Sequence, residues 1–284
     1  MALGCLLLLL ADLRLRGARR YARVGSGARR TPTRARLGRA TAPVLAALAL
    51  LVVLAVGVPI GSIIRWLSVG SSTAFPLGSL AATAATTLGL GVTAALLASL
   101  AALPVAWLCE RHRGPVSTLL ERSTYFGSAL PGIVVALAFV TVTIRYAQPL
   151  YQTTAMLLAA YVVLFIPRAM VSQRAAIAQA PAILDDVAHS LGAGALSRLR
   201  RVTLPLVAPG MGAGAALVFL AVVTELTATL LLSPIGTRTL ATEFWSKSSS
   251  IAYGAAAPYA ALMILISAPA TLLLTREAHR TSTP

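Results

Sequence analysis

Six long apolar stretches constrain the fold of this chain more than any other feature of its sequence. Each has about 20 residues or more, the length an α-helix needs to cross the hydrocarbon core of a bilayer. Only 11% of the 284 residues are charged, whereas soluble domains contain roughly a quarter. The sequence therefore predicts an all-α integral membrane protein with six transmembrane helices. The predicted spans are Pro43–Ile64, Gly78–Leu108, Tyr125–Ala147, Thr153–Val171, Gly210–Ser233 and Ala255–Thr275.

The basic residues between the spans predict the orientation of the chain. They are concentrated in the N-terminal arm, in the segments 110–122 and 172–209, and in the C-terminal tail. Loops rich in arginine and lysine stay on the cytoplasmic side, so this distribution places both termini in the cytoplasm. We expect a multi-pass protein of the bacterial plasma (inner) membrane, surrounded by the lipid bilayer.

The N-terminal 42 residues differ in composition from the rest of the chain. Met1–Leu10 is apolar but too short to span a membrane, and ten arginines lie between Arg14 and Arg39. We interpret 1–42 as an apolar stub followed by a basic linker. The stub is either the end of a preceding transmembrane helix, which would make the chain half of a longer protein, or an interfacial turn. Residues 43–64 form the first transmembrane helix, 75–275 the transmembrane domain, and 276–284 a cytoplasmic tail.

Residue types that build catalytic, metal or nucleotide sites are sparse. Cys5 and Cys109 are far apart, and the three histidines are scattered without metal-ligand spacing. The sequence has no G-x-x-x-x-G-K-[ST] phosphate loop, and its predicted spans contain no Ser/His, paired Asp or HExxH arrangement. A basic arm beside apolar spans is explained by an anionic membrane surface. We therefore expect no enzymatic activity, no bound metal or other cofactor, and no nucleic-acid partner.

The segment 172–209, between the fourth and fifth predicted spans, is the longest polar interruption. It predicts a short helix with Asp185 and Asp186 in its first turn, where negative charge suits the helix dipole. A glycine break at Gly192 and a second short helix follow. Apolar residues recur at every fourth position of the first helix and form a ridge outside the membrane; they are Ile183, Val187 and Leu191. An exposed apolar ridge usually marks a surface that binds a partner.

This segment resembles the cytoplasmic EAA loop of ABC-importer permeases, the binding-protein-dependent type. In that family, E-A-A is followed after three residues by Gly, and after nine more by I-x-L-P. Here Asp186-Val187-Ala188 is followed after three residues by Gly192, and nine more lead to Val202-Thr203-Leu204-Pro205. The spacing fits throughout, and each replacement keeps the charge or the apolar character of the motif.

The resemblance covers nearly the whole chain. Arg19–Gly27 in the arm, Ala129–Val134 in the third span and Glu225–Leu232 in the fifth look like the C-terminal half of ferric-iron ABC permeases. The resemblance implies the type I ABC importer permease architecture, with ferric iron as the substrate. Related permeases for thiamine, molybdate, sulfate and polyamines share this architecture, so these substrates stay open as alternatives.

By this resemblance, the helix Leu184–Leu191 would be a coupling helix that docks into a cytoplasmic ABC ATPase subunit, which binds and hydrolyses the ATP. A second permease half and an extracytoplasmic solute-binding protein are the other implied partners. The residues implied to couple to the ATPase are Asp185, Asp186, Val187, Ala188, Leu191, Gly192, Val202, Leu204 and Pro205.

Glu225 is the charged residue that lies well inside a predicted span. A carboxylate there is unfavourable unless it faces a cavity or a partner. Two interpretations stay open: a group that faces the pathway and meets a cation, and a structural carboxylate that is hydrogen-bonded or ion-paired. An ATP-independent secondary transporter is the competing class of protein, although such transporters usually carry several charged residues within their spans.

Overall fold

The computed structural model describes residues 38–69, 76–111, 114–180 and 182–282. Every regular element among them is helical, which confirms the predicted all-α class. The chain divides into two units, Met1–Val52 and Val53–Pro284. In the first unit, the described part holds a short 3-10 turn and helix α1 (Thr41–Val52), which buries no residue. The predicted apolar stub and most of the predicted basic linker lie outside the described residues.

The described part of the second unit is a succession of helices. A π-helical turn (Val53–Gly57) comes first, a 3-10 turn (Gln148–Leu150) precedes α6, and a second π-helical turn (Leu199–Thr203) precedes α9. The helices are α2 (Val58–Val69), α3 (Leu77–Arg111), α4 (Pro115–Ala129), α5 (Gly132–Tyr146), α6 (Thr154–Gln179), α7 (Ala182–Ser190), α8 (Ala195–Arg198), α9 (Leu204–Val223), α10 (Thr227–Leu232), α11 (Leu240–Ser249) and α12 (Tyr253–Ser282).

Five helical segments of the described chain are long and apolar enough to cross a membrane, judged by length and composition. They are Thr41–Val69, Leu77–Arg111, Thr154–Gln179, Leu199–Val223 and Tyr253–Arg276. Helix α5 is apolar but shorter, and it occupies the position of the third predicted span. The structure therefore contains an apolar helix at each of the six predicted positions.

Two of the predicted spans are interrupted rather than continuous. The third breaks at Leu130 and Pro131, between α4 and α5. A proline sterically disfavours the α-helical backbone conformation at the residue before it, and Leu130 accordingly has an extended backbone. The fifth begins earlier than predicted, at Leu204, and ends at Val223, with α10 following after a short non-helical link. The apolar pattern continues across both breaks, so hydropathy alone does not reveal them.

The core of the second unit forms where α3, α6 and α9 pack together. Helix α3 contributes a stripe of fully buried alanines at every fourth position: Ala94, Ala98, Ala102 and Ala106. Small side chains let helices in lipid approach closely, and the resulting van der Waals contacts stabilise the bundle. Tyr161, Leu157 and Met170 of α6 and Val218 of α9 fill the space between the helices.

Polar contacts tie the end of α6 to α3 and α4. Arg174 Nε donates to Glu110 Oε1 at 2.7 Å, and Arg174 Nη1 donates to Glu121. Arg111 Nη2 donates at 3.1 Å to the carbonyl oxygen of Ala180, which caps the C-terminus of α6. These satisfied groups explain why α6 continues past its predicted end into the polar segment.

We expect replacement of Arg174 by methionine to destabilise this three-helix contact. The change leaves Glu110 and Glu121 without their cation while both are only partly exposed, so the free energy of unfolding should fall by about 1–2 kcal/mol. The triple variant R174M/E110Q/E121Q should recover much of that loss, because it leaves no unpaired charge. Thermal unfolding in detergent measures both changes; equal melting temperatures for R174M and the wild type would contradict the contact's importance.

Candidate functional site

The coupling segment, residues 180–203 between α6 and α9, contains most of the residues predicted to bind an ATPase. It consists of α7, a glycine-containing turn, α8 and the π-helical turn Leu199–Thr203. This order matches the predicted helix, glycine break and second helix. The segment is shorter than the predicted 172–209, because α6 and α9 extend into it from both sides.

Gly192 closes α7 with a left-handed turn. Its φ is +80°, a conformation that glycine adopts without the steric penalty of a Cβ atom. The amide of Gly192 donates to the carbonyl of His189 at 2.9 Å, and the amide of Ala193 donates to the carbonyl of Ala188 at 3.0 Å. This pattern satisfies carbonyls that the helix end would otherwise leave unpaired.

The α7 ridge consists of four exposed apolar side chains, Ile183, Leu184, Val187 and Leu191. Leu191 is 81% exposed and Val187 is 48% exposed. The ridge is thus partly or largely open in the described part of the chain. Asp186 is also exposed, Ala188 is half-buried, and Asp185 lies in the first turn of α7. The helix therefore carries an apolar surface with acidic residues near its N-terminus.

The remaining predicted coupling residues lie at the start of α9. Val202 is half-buried in the π-helical turn, Leu204 begins α9, and Pro205 is exposed at the next position. Proline is tolerated there because the first turn of a helix leaves its amides unpaired. The predicted coupling residues thus form two groups. Asp185 to Gly192 lie in α7 and the turn that closes it, whereas Val202, Leu204 and Pro205 lie where the π-helical turn leads into α9.

Glu225 lies in the break between α9 and α10 rather than inside a continuous helix as predicted. Its Oε1 accepts hydrogen bonds from Thr227 Oγ1 and from the amide of Ala228, both at 3.0 Å. A carboxylate in this position satisfies an unpaired amide and suits the positive end of the helix dipole. Glu225 therefore caps α10 within its own chain, and a role in the pathway stays a prediction.

The two helix breaks meet at one place, which we name the broken-helix junction (130–132 and 224–227). A Cβ atom added to Gly132, the first residue of α5, would lie 3.6 Å from Glu225 Oε1. Tyr161 of α6 holds the same region, since its hydroxyl lies 2.7 Å from Thr229 Oγ1 on α10. Sequence reasoning missed Tyr161 and Thr229, because each looks like an ordinary residue of an apolar span.

We expect Glu225→Ala to lower the free energy of unfolding by about 1 kcal/mol, the usual effect of losing a helix cap. Glu225→Gln should stay close to the wild type, because its amide oxygen can still accept from Thr227 and Ala228. Thermal unfolding of the three proteins in detergent tests this, and equal stability of all three would refute the capping role. A Gln variant that folds normally but fails to transport would assign Glu225 to the pathway.

Comparison with known proteins identifies the class of this fold. The family model for the binding-protein-dependent transport system inner membrane component matches residues 102–282. The Fe(3+)-transport system permease protein FbpB 2 of Haemophilus influenzae is 36% identical over 230 residues, which cover 80% of this chain and 46% of that protein. The chain thus spans about half the length of this relative.

Two further similarities agree with this family. The putative 2-aminoethylphosphonate transport system permease protein PhnV of Salmonella typhimurium is 31% identical over 68% of this chain and 71% of its own length. The crystal structure of a bacterial ABC transporter involved in the import of the acidic polysaccharide alginate contains a chain with a similar fold. Its TM-score is 0.61 at 14% identity, covering 87% of this chain and 98% of that chain. The family model matches more than half of this chain. The chain therefore belongs to the family of binding-protein-dependent transport system inner membrane components.

Proposed function

We propose that this chain is the permease subunit of an ATP-driven ABC importer and that ferric iron is its cargo. The observation that carries the proposal is the 36% identity with a Fe(3+)-transport permease across 80% of the chain. In this proposal the chain forms the translocation pathway together with a second permease half. An extracytoplasmic solute-binding protein delivers the cargo.

The coupling step would begin at the α7 ridge. A cytoplasmic ATPase binds the ridge and hydrolyses ATP, while this chain holds neither nucleotide nor metal cofactor. Helix α7 contacts α8 and the π-helical turn, which lead directly into α9. Because α9 packs closely against α6, a displacement of α7 moves these two long helices together as a rigid body.

The movement would then reach the broken-helix junction. Tyr161 connects α6 to α10 through Thr229, and Glu225 holds the start of α10 beside the start of α5. Non-helical backbone inside a membrane protein is tolerated where it is buried or lines a cavity. The junction is therefore the place in the described bundle where a small helix shift can open or close a path.

Uptake of labelled cargo by cells with and without this chain tests the substrate. We expect loss of the chain to abolish uptake of ferric iron presented by its binding protein. Uptake of thiamine, molybdate, sulfate, a polyamine and 2-aminoethylphosphonate should be unchanged. If one of these falls while iron uptake persists, the iron assignment is wrong and the importer class still holds.

We expect Gly192→Ala to weaken the coupling step, because alanine at φ +80° is strained by roughly 1–2 kcal/mol. The closing turn of α7 should loosen, and the ridge should lose its fixed presentation. Gly194→Ala is the matched control: it lies in the same turn, without a positive φ and with open space around its Cα. Co-purification of the ATPase and cargo uptake should fall only in Gly192→Ala; equal values in both variants would contradict this role.

A further inference from the structure

A polar cleft of about 520 Å³ lies between the beginning of α3 and the loop that precedes α11. It differs from the grooves along α2 and α12, which are lined mainly by apolar residues. The cleft lining contains hydroxyl groups and one arginine, and no carboxylate among the described residues. In the predicted orientation it opens toward the extracytoplasmic side. Its location is separate from the coupling segment and from the broken-helix junction.

One wall of the cleft is a hydroxyl stripe on α3. Ser79, Thr83 and Thr86 recur at positions i, i+4 and i+7, which share one helix face. Thr83 lines the cleft although the residue as a whole is only 4% exposed. Its hydroxyl makes no hydrogen bond within the described part of the chain. The Thr83 hydroxyl therefore offers the cleft a donor that no described residue uses.

The opposite wall is a tight turn. Gly236 has a φ of +86°, and the amide of Thr237 donates to the carbonyl of Pro234 at 3.0 Å. The turn places Thr237 and Arg238 on the cleft. The Thr237 hydroxyl also has no partner among the described residues, so it offers a second unused donor.

Further contacts hold this wall against α3. The amide of Leu240 donates at 2.9 Å to Thr87 Oγ1, which is one helical turn beyond Thr83. Thr239 and Thr242 form a capping box that starts α11 immediately after the cleft residues. Because both walls are fixed by buried or local hydrogen bonds, the cleft exists before any ligand binds.

Arg238 supplies the charge of the cleft. Its side chain is 68% exposed, and its Nε lies 3.6 Å from Glu243 Oε1. This contact is longer than a hydrogen bond and involves only one edge of the guanidinium group. Both Nη groups, with four N–H donors, make no hydrogen bond with any described residue and can bind a ligand.

We propose that this cleft binds a small tetrahedral oxyanion, of the class of inorganic phosphate or sulfate, between Thr83, Thr237 and Arg238. The available groups are hydroxyl and guanidinium donors on two facing walls. A tetrahedral oxyanion accepts hydrogen bonds from several directions, and the charge-assisted bonds from arginine are the strongest of the set. A planar carboxylate presents two oxygens and fits such facing donors less well. This site goes beyond the proposed import of iron and does not depend on it.

Binding of radiolabelled inorganic phosphate to the full chain in lipid nanodiscs tests the proposal. The wild type should bind phosphate saturably, and unlabelled sulfate should compete. Arg238→Gln should weaken binding by about tenfold or more, and Thr83→Val and Thr237→Val should each weaken it severalfold. Thr141→Val is the control, since its hydroxyl donates to the carbonyl of Leu137 on α5. Melting temperatures establish that each variant is folded.

Three results would overturn the site. The first is the absence of saturable phosphate binding in the wild type. The second is binding that Arg238→Gln weakens but both threonine variants leave intact, which would reduce the site to an exposed arginine. The third is competition by acetate as effective as that by sulfate, which would exclude the tetrahedral class.

Discussion

Gly210→Leu will prevent the chain from accumulating as a folded membrane protein, whereas Gly212→Leu will be tolerated. Gly210 is where α9 approaches α6 most closely among the described glycines. A Cβ atom at this position would lie 2.3 Å from Ala176 Cβ and 3.0 Å from the carbonyl oxygen of Ser172. Neither contact can be relieved by turning a flexible side chain, so the two helices would have to separate.

The expected size of this effect follows from packing. Extra methylene groups in a well-packed core typically destabilise a protein by about 1–3 kcal/mol, and leucine adds four carbon atoms at a backbone contact. We expect a loss at or above the upper end of that range, roughly 3 kcal/mol or more. Such a loss is a large part of the 5–15 kcal/mol by which proteins are typically stable. Gly214→Leu should behave similarly, since its added Cβ would lie 3.1 Å from Ala169 Cα.

Gly212 provides the control on the same helix. It is exposed, and a Cβ atom there would meet nothing within 4 Å. Alanine at Gly212 should even stabilise α9 slightly, because alanine favours a helix over glycine by about 1 kcal/mol. Size-exclusion profiles and thermal unfolding of the detergent-solubilised variants measure the difference. A Gly210→Leu protein that elutes and melts like the Gly212→Leu protein would show that the α6–α9 contact does not hold the bundle together.

If the α7 ridge docks the ATPase as we propose, Val187→Asp will abolish that association without unfolding this chain. Val187 is part of the α7 ridge and is 48% exposed, so a polar side chain at this position has access to water in the isolated chain. Exposed substitutions away from special features usually change stability by less than about 0.5 kcal/mol. In the proposed complex with the ATPase, however, the aspartate would be buried at the interface without a partner.

We expect Val187→Asp to lower the binding free energy by as much as the loss of a central interface residue does. Such residues contribute about 2 kcal/mol or more to binding, which corresponds to roughly a 30-fold weaker affinity. His189→Asp is the matched control, because it introduces the same side chain on an exposed position of α7 outside the ridge. Co-purification with the ATPase should fail for Val187→Asp and persist for His189→Asp. Equal retention of the ATPase by both variants would exclude the ridge as its docking surface.

Local sequence patterns predicted the features of this protein that depend on neighbouring residues. The apolar stretches located the long helices, and the four-residue spacing of Val187 and Leu191 located the exposed ridge. Gly192 marked the end of α7 because a left-handed helix cap favours glycine. Each of these features is decided within one or two helical turns.

Features that depend on distant residues could not be predicted in the same way. The pairing of Arg174 with Glu110 and Glu121 joins three helices, and no local spacing encodes it. Pro131 is a residue type that can end a helix, but the apolar pattern continues on both sides of it. Hydropathy therefore predicted one continuous span. Glu225 appeared to lie inside a span because nothing in the apolar pattern marks the end of α9 at Val223.

ATP-driven uptake in proteoliposomes tests whether this chain works in an ATP-powered importer of ferric iron. The vesicles would contain this chain, its second permease half and the ATPase, with the loaded binding protein outside and ATP inside. We expect ferric iron to accumulate with ATP, and accumulation to stop with a non-hydrolysable analogue or with Val187→Asp in place of the wild-type chain. Accumulation that persists without ATP and follows an ion gradient would contradict this expectation, because this chain would then act as a secondary transporter.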